Sequence, residues 1–405
     1  MPKNSFKDLA AGGGREDREK LTERFSAIPD RAGDIRSDFA RDETRLLHCR
    51  AFRRLKHKTQ VFPNIENDHI CTRMEHVLHV ASVAGTISDY LGLDTELTRA
   101  IALGHDIGHA PFGHEGEKLL NKLTQKKLSE PFRHESNGLR FADKIELLEN
   151  FDGTFNNLGL TYAVRDGIVC HTGEEEYRPL RPRGELGDLE DIAADELAGS
   201  AEPATWEACV VKISDKIAYL GRDIEDAKAL GFLDTAELAE LKEMARQSGS
   251  GAINTTVIMH ELIADICSCS DPDAGIRLSD KGAESMRELT DFNYSHIYND
   301  SRLRPYSRFA HSVIAEVYNM LIQFYEGRET IDALRAVKSD YPVVVGEFIG
   351  SLRRLSAVDS PVEYRNNKIY GTLDTRETYI RAIVDFISGM TDRYAIRAYE
   401  ELLKY

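Results

Sequence analysis

The sequence lacks the features that mark membrane, secreted and disulfide-linked proteins. Its 405 residues contain no apolar run of about eighteen residues, the length needed to span a bilayer. The N-terminal stretch has no apolar h-region, so no secretory signal is expected. The six cysteines are scattered, and a chain of this size needs no disulfide framework to fold. We therefore expect a cytoplasmic protein with reduced thiols and no membrane association.

An excess of positive charge is also lacking, since the net charge is −16. This value argues against general affinity for nucleic acid and leaves only weak binding to single strands open. One stretch has the opposite sign: residues 45–58, RLLHCRAFRRLKHK, carry six Lys or Arg and no acid. Such a run is either a solvated helix face or a phosphate-binding surface.

Alternating β-type patterns are almost absent, and no internal repeat is found, so the sequence predicts an all-α protein. The predicted helices cover 73–92, 94–105, 206–230, 254–268, 308–326, 329–337 and 376–402. Loops are predicted over 172–203 and 247–252 because Gly, Pro, Ser and acidic residues are common there. We predict a flexible lead-in over 1–35, a catalytic core over 36–235 and a helical C-terminal region over 236–405 that completes the site and forms an oligomer interface.

The stretch GHDIGHAPFGHEGE at 104–117 gathers three histidines with neighbouring acids. Imidazole and carboxylate groups are the ligands of catalytic divalent ions. His105 and Asp106 end an apolar helix, His76 lies on the apolar face of the preceding helix, and Asp215 interrupts another apolar helix. Taken singly, His76 and Asp215 are explained as core or ion-pair residues; taken together, the four predict a metal site. A zincin is excluded, because Ala264 stands where the second histidine of HExxH is required.

Five blocks of the sequence, in order, resemble the deoxynucleoside triphosphate triphosphohydrolases, the dGTPase-like branch of the HD phosphohydrolases. They are FRRLKHKTQVF (52–62), TRMEHVLHVA (72–81), ALGHDIGHAPFGHEGE (102–117), FRHESNG (132–138) and SDKIAYLGRDIEDA (214–227). The resemblance implies a multi-helix HD-domain fold with a helical C-terminal extension. It also implies hydrolysis of a dNTP to a deoxynucleoside plus inorganic triphosphate, with a divalent ion (Mg, Mn, or a transition metal such as Fe, Ni or Zn).

The resemblance also implies roles for individual residues. The metal ligands are His76, His105, Asp106 and Asp215. Histidine titrates in the range needed to protonate a sugar oxygen as it leaves. We expect His114 to be this proton donor, supported by His134 with Glu135 or Glu117, whereas His109 contacts phosphate or is structural. The break at Gly108–Pro111 is expected to separate the metal ligands from the acid–base histidines.

Substrate-binding roles follow in the same way. Arg73 and Lys216 are expected to contact the triphosphate, and Arg53 belongs to the basic block assigned to phosphate. Gln60 would bind the 3′ hydroxyl, Tyr219 would pack against the deoxyribose, and Asp223 would accept a hydrogen bond near the sugar. His171, after the apolar run GIVC, is interpreted as a core histidine. A homo-oligomer and activation by a dNTP are further expectations from the resemblance.

Two alternatives stay open at this stage. The first is an HD phosphodiesterase or nucleotidase that acts on a cyclic or monophosphate nucleotide. The second is a nucleotide sensor or single-stranded nucleic-acid binder that keeps the HD fold without hydrolysis. The complete set of four candidate ligands argues against the second, because a sensor is expected to have lost some of them.

Overall fold

The computed structural model describes residues 3–12, 14–29, 33–62, 67–173, 178–193, 202–248, 254–361, 364 and 367–404. Within these ranges the only sheet pairs β1 (Leu148–Glu149) with β2 (Phe155–Asn156), antiparallel with Leu148 opposite Asn156. The predicted all-α fold class is confirmed. The α-helices are α1 Arg18–Leu21, α2 Asp38–His48, α3 Arg50–Arg54, α4 Arg73–Leu91, α5 Thr95–Gly104, α6 Gly113–Leu128, α7 His134–Arg140, α8 Tyr162–Val169, α9 Trp206–Ala229, α10 Thr235–Ser248, α11 Thr255–Cys269, α12 Asp280–Asn293, α13 Arg304–Ile322, α14 Thr330–Val337, α15 Val344–Leu355, α16 Arg376–Ser388 and α17 Asp392–Leu402.

Shorter helical segments connect these elements. The 3₁₀ turns are Lys7–Leu9, Leu55–His57, Asp191–Ala193, Ser301–Leu303 and Gly327–Glu329, and wider π turns occur at Phe141–Ile145 and Tyr294–Tyr298. None of the helices in the described ranges combines the length and hydropathy required to cross a membrane.

Local capping fixes the helices that carry the site. Glu75 accepts a hydrogen bond from the Thr72 amide (2.8 Å) at the start of α4, and Asp94 accepts from two amides at the start of α5. Asp94 is therefore the N-cap of α5. Gly92 ends α4 with φ +84°, a left-handed conformation that glycine adopts without steric cost.

The structure changes the predicted elements in three places. The helix predicted over 308–326 is α13, which begins and ends four residues earlier. The helix predicted over 376–402 is two helices, because α16 stops at Ser388 and the Thr391 side chain caps a new helix, α17. The loop predicted over 247–252 begins inside α10, which continues to Ser248, and residues 249–252 lie outside the described ranges. The described part of 172–203 contains no α-helix, as predicted.

The apolar side chains form two cores. The first core takes buried residues from α2, α4, α5, α8, α9, α11 and α12. The second core takes them from α13 to α17 together with α6 and the turn before it. The first core extends to Ile297, because α11 packs on α9 and α12 follows it. The catalytic core predicted over 36–235 stays a prediction.

The N-terminal segment is attached to the first core. Phe6 is buried with its ring edge-on to Trp206 (4.9 Å between centroids), and Leu21 is also buried. The Ala11 amide donates to Glu207 (2.9 Å). These contacts correct the expectation of a flexible lead-in for the described residues of 1–35. No periodic pattern marks these residues, because short helical turns rather than a long helix place Phe6 and Leu21.

Candidate metal centre and substrate pocket

The structure brings the four predicted metal ligands together from three helices of the first core. His76 lies in the first turn of α4, His105 and Asp106 follow α5, and Asp215 lies in α9. His76 Nε2 is 2.8 Å from Asp215 Oδ1. His105 Nε2 is 3.6 Å from Asp106 Oδ1 and 3.8 Å from Asp215 Oδ1. α4 packs against both α5 and α9, which is why residues so distant in sequence meet.

The state of His105 shows that a cation fits this cluster. Its Nδ1 lies 2.7 Å from the Ala102 carbonyl, an acceptor, so Nδ1 carries the proton and Nε2 presents its lone pair. His105 Nε2 is buried and has no hydrogen-bond partner among the described residues. A buried acceptor without a partner is costly unless a ligand satisfies it. A divalent cation would do so, with carboxylate oxygens on either side.

Both carboxylates are held in the ionised form that a metal requires. Burial opposes ionisation of Asp106, but the charges of His109 and Arg73 lower its pKa well below the ordinary value. Burial likewise opposes ionisation of Asp215, and the hydrogen bond with His76 lowers its pKa. The surrounding charges thus compensate the desolvation of two acids in a closed site.

His171 is a member of this cluster that the sequence interpretation placed in the core. Its ring lies 4.9 Å from the His105 ring, and its Nδ1 is 2.7 Å from the Ile168 carbonyl, the same i−3 contact that His105 makes. Ligand atoms of His105, His171 and Asp215 lie within 4.8 Å of one another, as do those of His76, His105 and Asp106. A sequence signal existed: IALGH and GIVCH both put a histidine at the end of an apolar run, one or two residues after the helix.

The acid–base histidines form a second group beside the metal cluster. His109 Nε2 contacts Asp106 Oδ1 at 2.9 Å, and the His109 ring stacks on His134 at 3.9 Å. His109 thus bridges the ligand Asp106 and His134. The predicted break is observed, because α5 ends before His105 and α6 starts only at Gly113.

Glu117 is the principal partner of His134. It accepts from the His134 amide (2.8 Å) and lies 3.1 Å from Nδ1. Burial opposes the charge on His134, but Glu117 and Glu135 raise its pKa to about 9. Glu135 Oε2 is 3.4 Å from His134 Nδ1, and its other oxygen accepts from Thr172. His114 is 70% exposed, and its Nδ1 is 3.5 Å from Glu117.

The basic run at 45–58 does not form a single phosphate surface. Arg53 is exposed and hydrogen-bonds the carbonyls of Cys49 and His48. Arg54 pairs with Glu146 at 2.9 Å, and the buried Lys58 donates to the carbonyls of His109 and Ser388. Part of the run is a solvated face, and the phosphate contact predicted for the run stays a prediction.

Arg73 binds a metal-site carboxylate. Its Nη1 lies 2.7 Å from Asp106 Oδ2, and both side chains are buried. Arg73 therefore holds one oxygen of Asp106 while His109 contacts the other, and the two contacts would fix this carboxylate for a metal ion. Its predicted contact with phosphate stays a prediction.

A cavity of about 690 Å³ opens beside these groups. Its walls include Gln60, His114, Glu117, Tyr219 and Asp223, five residues that the sequence interpretation had singled out. Tyr219 and Asp223 follow Asp215 along α9 at intervals of one turn, so one helix face runs from the metal cluster into the cavity. Lys216, half-buried, is adjacent to Asp215 on the same helix.

Tyr298 is a wall residue that sequence reasoning missed. It belongs to the π turn Tyr294–Tyr298, and its hydroxyl donates to Asp223 Oδ2 at 2.6 Å. Burial raises the pKa of Asp223 to about 7. The stretch FNYSHIYNDSR at 292–302 resembled the family, but no signal in it singled out Tyr298.

Comparison with known proteins agrees with this geometry. The HD domain model matches residues 73–220, and a phosphohydrolase-associated domain model matches residues 366–401. The chain is 35% identical to a deoxyguanosinetriphosphate triphosphohydrolase-like protein of Caldanaerobacter subterraneus subsp. tengcongensis, over 91% of this chain and 86% of the relative. The chain belongs to the deoxyguanosinetriphosphate triphosphohydrolase-like family. It is a phosphohydrolase with an HD domain.

Two further members of this dGTPase-like family cover similar shares of the chain. The protein of Nitrosomonas europaea is 32% identical over 91% of both chains. That of Rickettsia canadensis is 31% identical over 91% of this chain and 93% of the relative. The HD match extends from α4 to α9 and contains every residue of the metal cluster, whereas the phosphohydrolase-associated match falls on α16 and α17.

Proposed function

We propose that this dGTPase-like phosphohydrolase cleaves deoxynucleoside triphosphates to a deoxynucleoside and inorganic triphosphate. The observation that carries the proposal is the continuity of α9, which joins Asp215 of the metal cluster to Tyr219 and Asp223 in the cavity wall. A volume of about 690 Å³ lies in the range of small-molecule sites. One end of a nucleotide can thus reach the cluster while its sugar contacts the wall.

The proposed metal ligands are His76, His105, Asp106 and Asp215, with His171 as a neighbouring donor. Their mixed nitrogen and oxygen set suits Mn, Fe, Ni or Zn, and Mg through the carboxylates. When bound, a divalent ion polarises a phosphoryl oxygen and acidifies water. Arg73 and His109 would keep Asp106 ionised and correctly oriented for it.

His114 is the proposed donor of the proton that the departing 5′ oxygen requires. It stands at the rim of the cavity, where substrate and solvent both reach it. Glu117 lies between His114 and His134 and would hold both rings in place. The raised pKa of His134, about 9, keeps a positive charge beside the α-phosphate at neutral pH.

The cavity wall offers groups for the sugar and the phosphate chain. Tyr219 would pack on the deoxyribose face, where an added 2′ hydroxyl would meet the ring. Asp223, paired with Tyr298, would accept a hydrogen bond from the sugar, and Gln60 would bind the 3′ hydroxyl. Lys216 would contact the triphosphate.

The direct test is a turnover panel of the four dNTPs and the four NTPs, alone and mixed, with Mg²⁺ and Mn²⁺. Chromatography should show inorganic triphosphate and deoxynucleoside in equal amounts from dNTPs. Release of pyrophosphate or orthophosphate, or turnover only of cyclic or monophosphate nucleotides, would favour the phosphodiesterase or nucleotidase alternative. Nucleotide binding without hydrolysis in the presence of metal would favour a sensor.

The mixed reactions also test the predicted dNTP activator, which should raise turnover of a second dNTP. Sedimentation of the same samples tests the predicted homo-oligomer. These two expectations rest on the family resemblance.

A further inference from the structure

One face of α6 lines the substrate pocket over two helical turns. His114, Lys118 and Asn121 follow one another at intervals of four and three residues, so all three lie on the same side of the helix. Between His114 and Asn121 the helix rises by about 10 Å, which is comparable with the length of a nucleoside. A nucleotide whose 5′ oxygen lies at His114 can therefore extend along α6 and place its base beside Asn121.

The side chain of Asn121 is anchored at its oxygen. Asn121 Oδ1 accepts a hydrogen bond from the Phe132 amide at 2.9 Å. One turn earlier, Glu117 Oε1 accepts from the His134 amide at 2.8 Å, so the segment 132–134 runs beside α6. A backbone amide can only donate, and this contact therefore fixes which end of the Asn121 side chain is the oxygen. The other end, Nδ2, donates to no acceptor among the described residues and belongs to the pocket wall.

Two other polar residues of the wall are less suited to read a base. Lys118 is exposed, and its Nζ pairs with Glu115 at 2.7 Å. Asn299 also lines the pocket, but no backbone amide in the described ranges anchors its side chain. Asn121 thus combines a fixed orientation with donors that the protein itself does not use, which is what selective recognition of a substrate group requires.

The four bases differ at the edge that lies far from the sugar. Guanine and thymine carry a keto oxygen there, whereas adenine and cytosine carry an amino group at the corresponding carbon. The Nδ2 group of Asn121 is a donor, so it can bind the keto oxygen but would face the amino group donor to donor. Both donors would then lose their hydrogen bonds to water, and this loss is how a polar site rejects the wrong substrate.

We propose that Asn121 is a specificity-determining residue that reads the nucleobase. It favours the dNTPs that present a keto oxygen at this edge, dGTP and dTTP, over dATP and dCTP, which present an amino group. The inference rests on the proposed function, because it takes His114 as the position of the 5′ oxygen. It also gives α6 two tasks on one face, proton donation at its start and base selection two turns later.

The test is a competition in which the full-length enzyme with Mn²⁺ hydrolyses an equimolar mixture of dGTP and dATP. Chromatography at low conversion measures deoxyguanosine and deoxyadenosine. Because both substrates meet the same enzyme, the product ratio compares their kcat/KM values and does not depend on activation by a nucleotide.

Two variants make the same change of amide to carboxylate on α6. Asn121→Asp keeps Oδ1 for the Phe132 amide and replaces the Nδ2 donor by an acceptor oxygen. Gln125→Glu is the matched control, because it changes an exposed residue one turn later that lies outside the pocket.

Wild type and Gln125→Glu should release more deoxyguanosine than deoxyadenosine, and Asn121→Asp should lower this ratio by roughly tenfold or more. An excess of deoxyadenosine from wild type, or the same ratio in wild type and Asn121→Asp, would overturn the proposal, since Asn121 would then only anchor the segment 132–134. A shift of equal size in Gln125→Glu would also overturn it, because added charge alone would explain the change. Release of neither deoxynucleoside by wild type would contradict the proposed function, and the inference with it.

If Asn121→Asp unfolds by circular dichroism, a base analogue decides with the wild-type enzyme. The nucleotide dITP keeps the keto oxygen of dGTP and lacks its 2-amino group, so it should compete against dATP as well as dGTP does. Equal turnover of dITP and dATP would show that the keto oxygen is not recognised, and the proposal would be wrong.

Discussion

The two cores divide the work of the site between them. The first core supplies the chemistry, since α4, α5, α8 and α9 bring His76, Asp106, Asp215 and their neighbours into one buried cluster. The second core supplies none of these candidate ligands within the described residues, yet it contacts the turn that carries the acid–base histidines. The first core thus holds the candidate metal ligands, and the second packs around α6 and the turn before it, which carry His114 and His109.

Asp392, at the start of α17, makes the main contact between the second core and that turn. One of its oxygens accepts from the Phe112 amide (2.8 Å) and the other from the Thr59 amide (2.9 Å). Phe112 has φ +65°, a left-handed conformation that costs a non-glycine residue roughly 1–2 kcal/mol. Lys58 adds a second link, from the His109 carbonyl to the Ser388 carbonyl. The second core thus positions the turn, although it supplies none of the candidate metal ligands in the described ranges.

The largest loss of turnover is expected when a candidate metal ligand of the first core is removed. Asp106→Ala or His105→Ala should abolish metal binding and lower turnover by roughly 10³-fold or more, because each removes a ligand. Metal content by mass spectrometry and turnover of a dNTP measure this, with circular dichroism to confirm the helical fold. Full activity of Asp106→Ala at stoichiometric metal would show that the assignment is wrong.

A smaller effect is expected at the rim of the cavity. His114→Ala should keep its metal and lose roughly 10²–10⁴-fold in turnover, the usual contribution of a general acid. His260→Ala, an exposed histidine on α11, is the control and should turn over at the wild-type rate. If both variants match wild type, His114 is not the proton donor.

The contribution of the second core is tested at Asp392. Asp392→Ala should lower kcat by about 10²-fold while the metal content is unchanged, because loss of both acceptors lets the turn shift by an ångström or so. Asp374→Ala, which removes an exposed acid of the same region, should have no effect. Loss of metal from Asp392→Ala would contradict the division of roles, since the second core would then support the metal cluster itself.

The smallest effect concerns the stability of the first core and its dependence on pH. Burial raises the pKa of Glu207 to about 7, although two amides donate to it. The native state thus binds the proton more tightly than the unfolded chain, and this group's contribution to stability falls as pH rises from about 4.5 to about 7. Glu207→Gln removes the titration and keeps an acceptor oxygen for the amides of Ala11 and Asp94.

Urea unfolding at pH 5 and pH 8 should therefore show Glu207→Gln gaining about 2 kcal/mol relative to wild type between the two pH values. A constant difference between the two proteins at both pH values would argue against a raised pKa. Metal content and turnover should not change, because Glu207 lies at the start of α9, eight residues before Asp215.

The amino-acid sequence alone predicts the helical class, about half of the α-helices in the described ranges and the four candidate metal ligands. These follow from local causes: a 3.6-residue apolar period predicts α4 and α9, a capping residue sets the start of α5, and polar residues on apolar faces mark His76 and Asp215. The sequence also predicts that Tyr219 and Asp223 lie on the same helix face as Asp215, because the three residues are spaced four apart.

Which residues complete the site depends on tertiary contacts that the sequence pattern does not show. His171, Tyr298 and Asp392 reach it from α8, a π turn and α17, and no local period reports a contact between segments so far apart in sequence. The basic run shows the same limit, because Arg53 is exposed while Lys58 is buried beneath the second core. Neighbouring residues of one charge thus acquire different roles, since the role depends on what packs against each side chain.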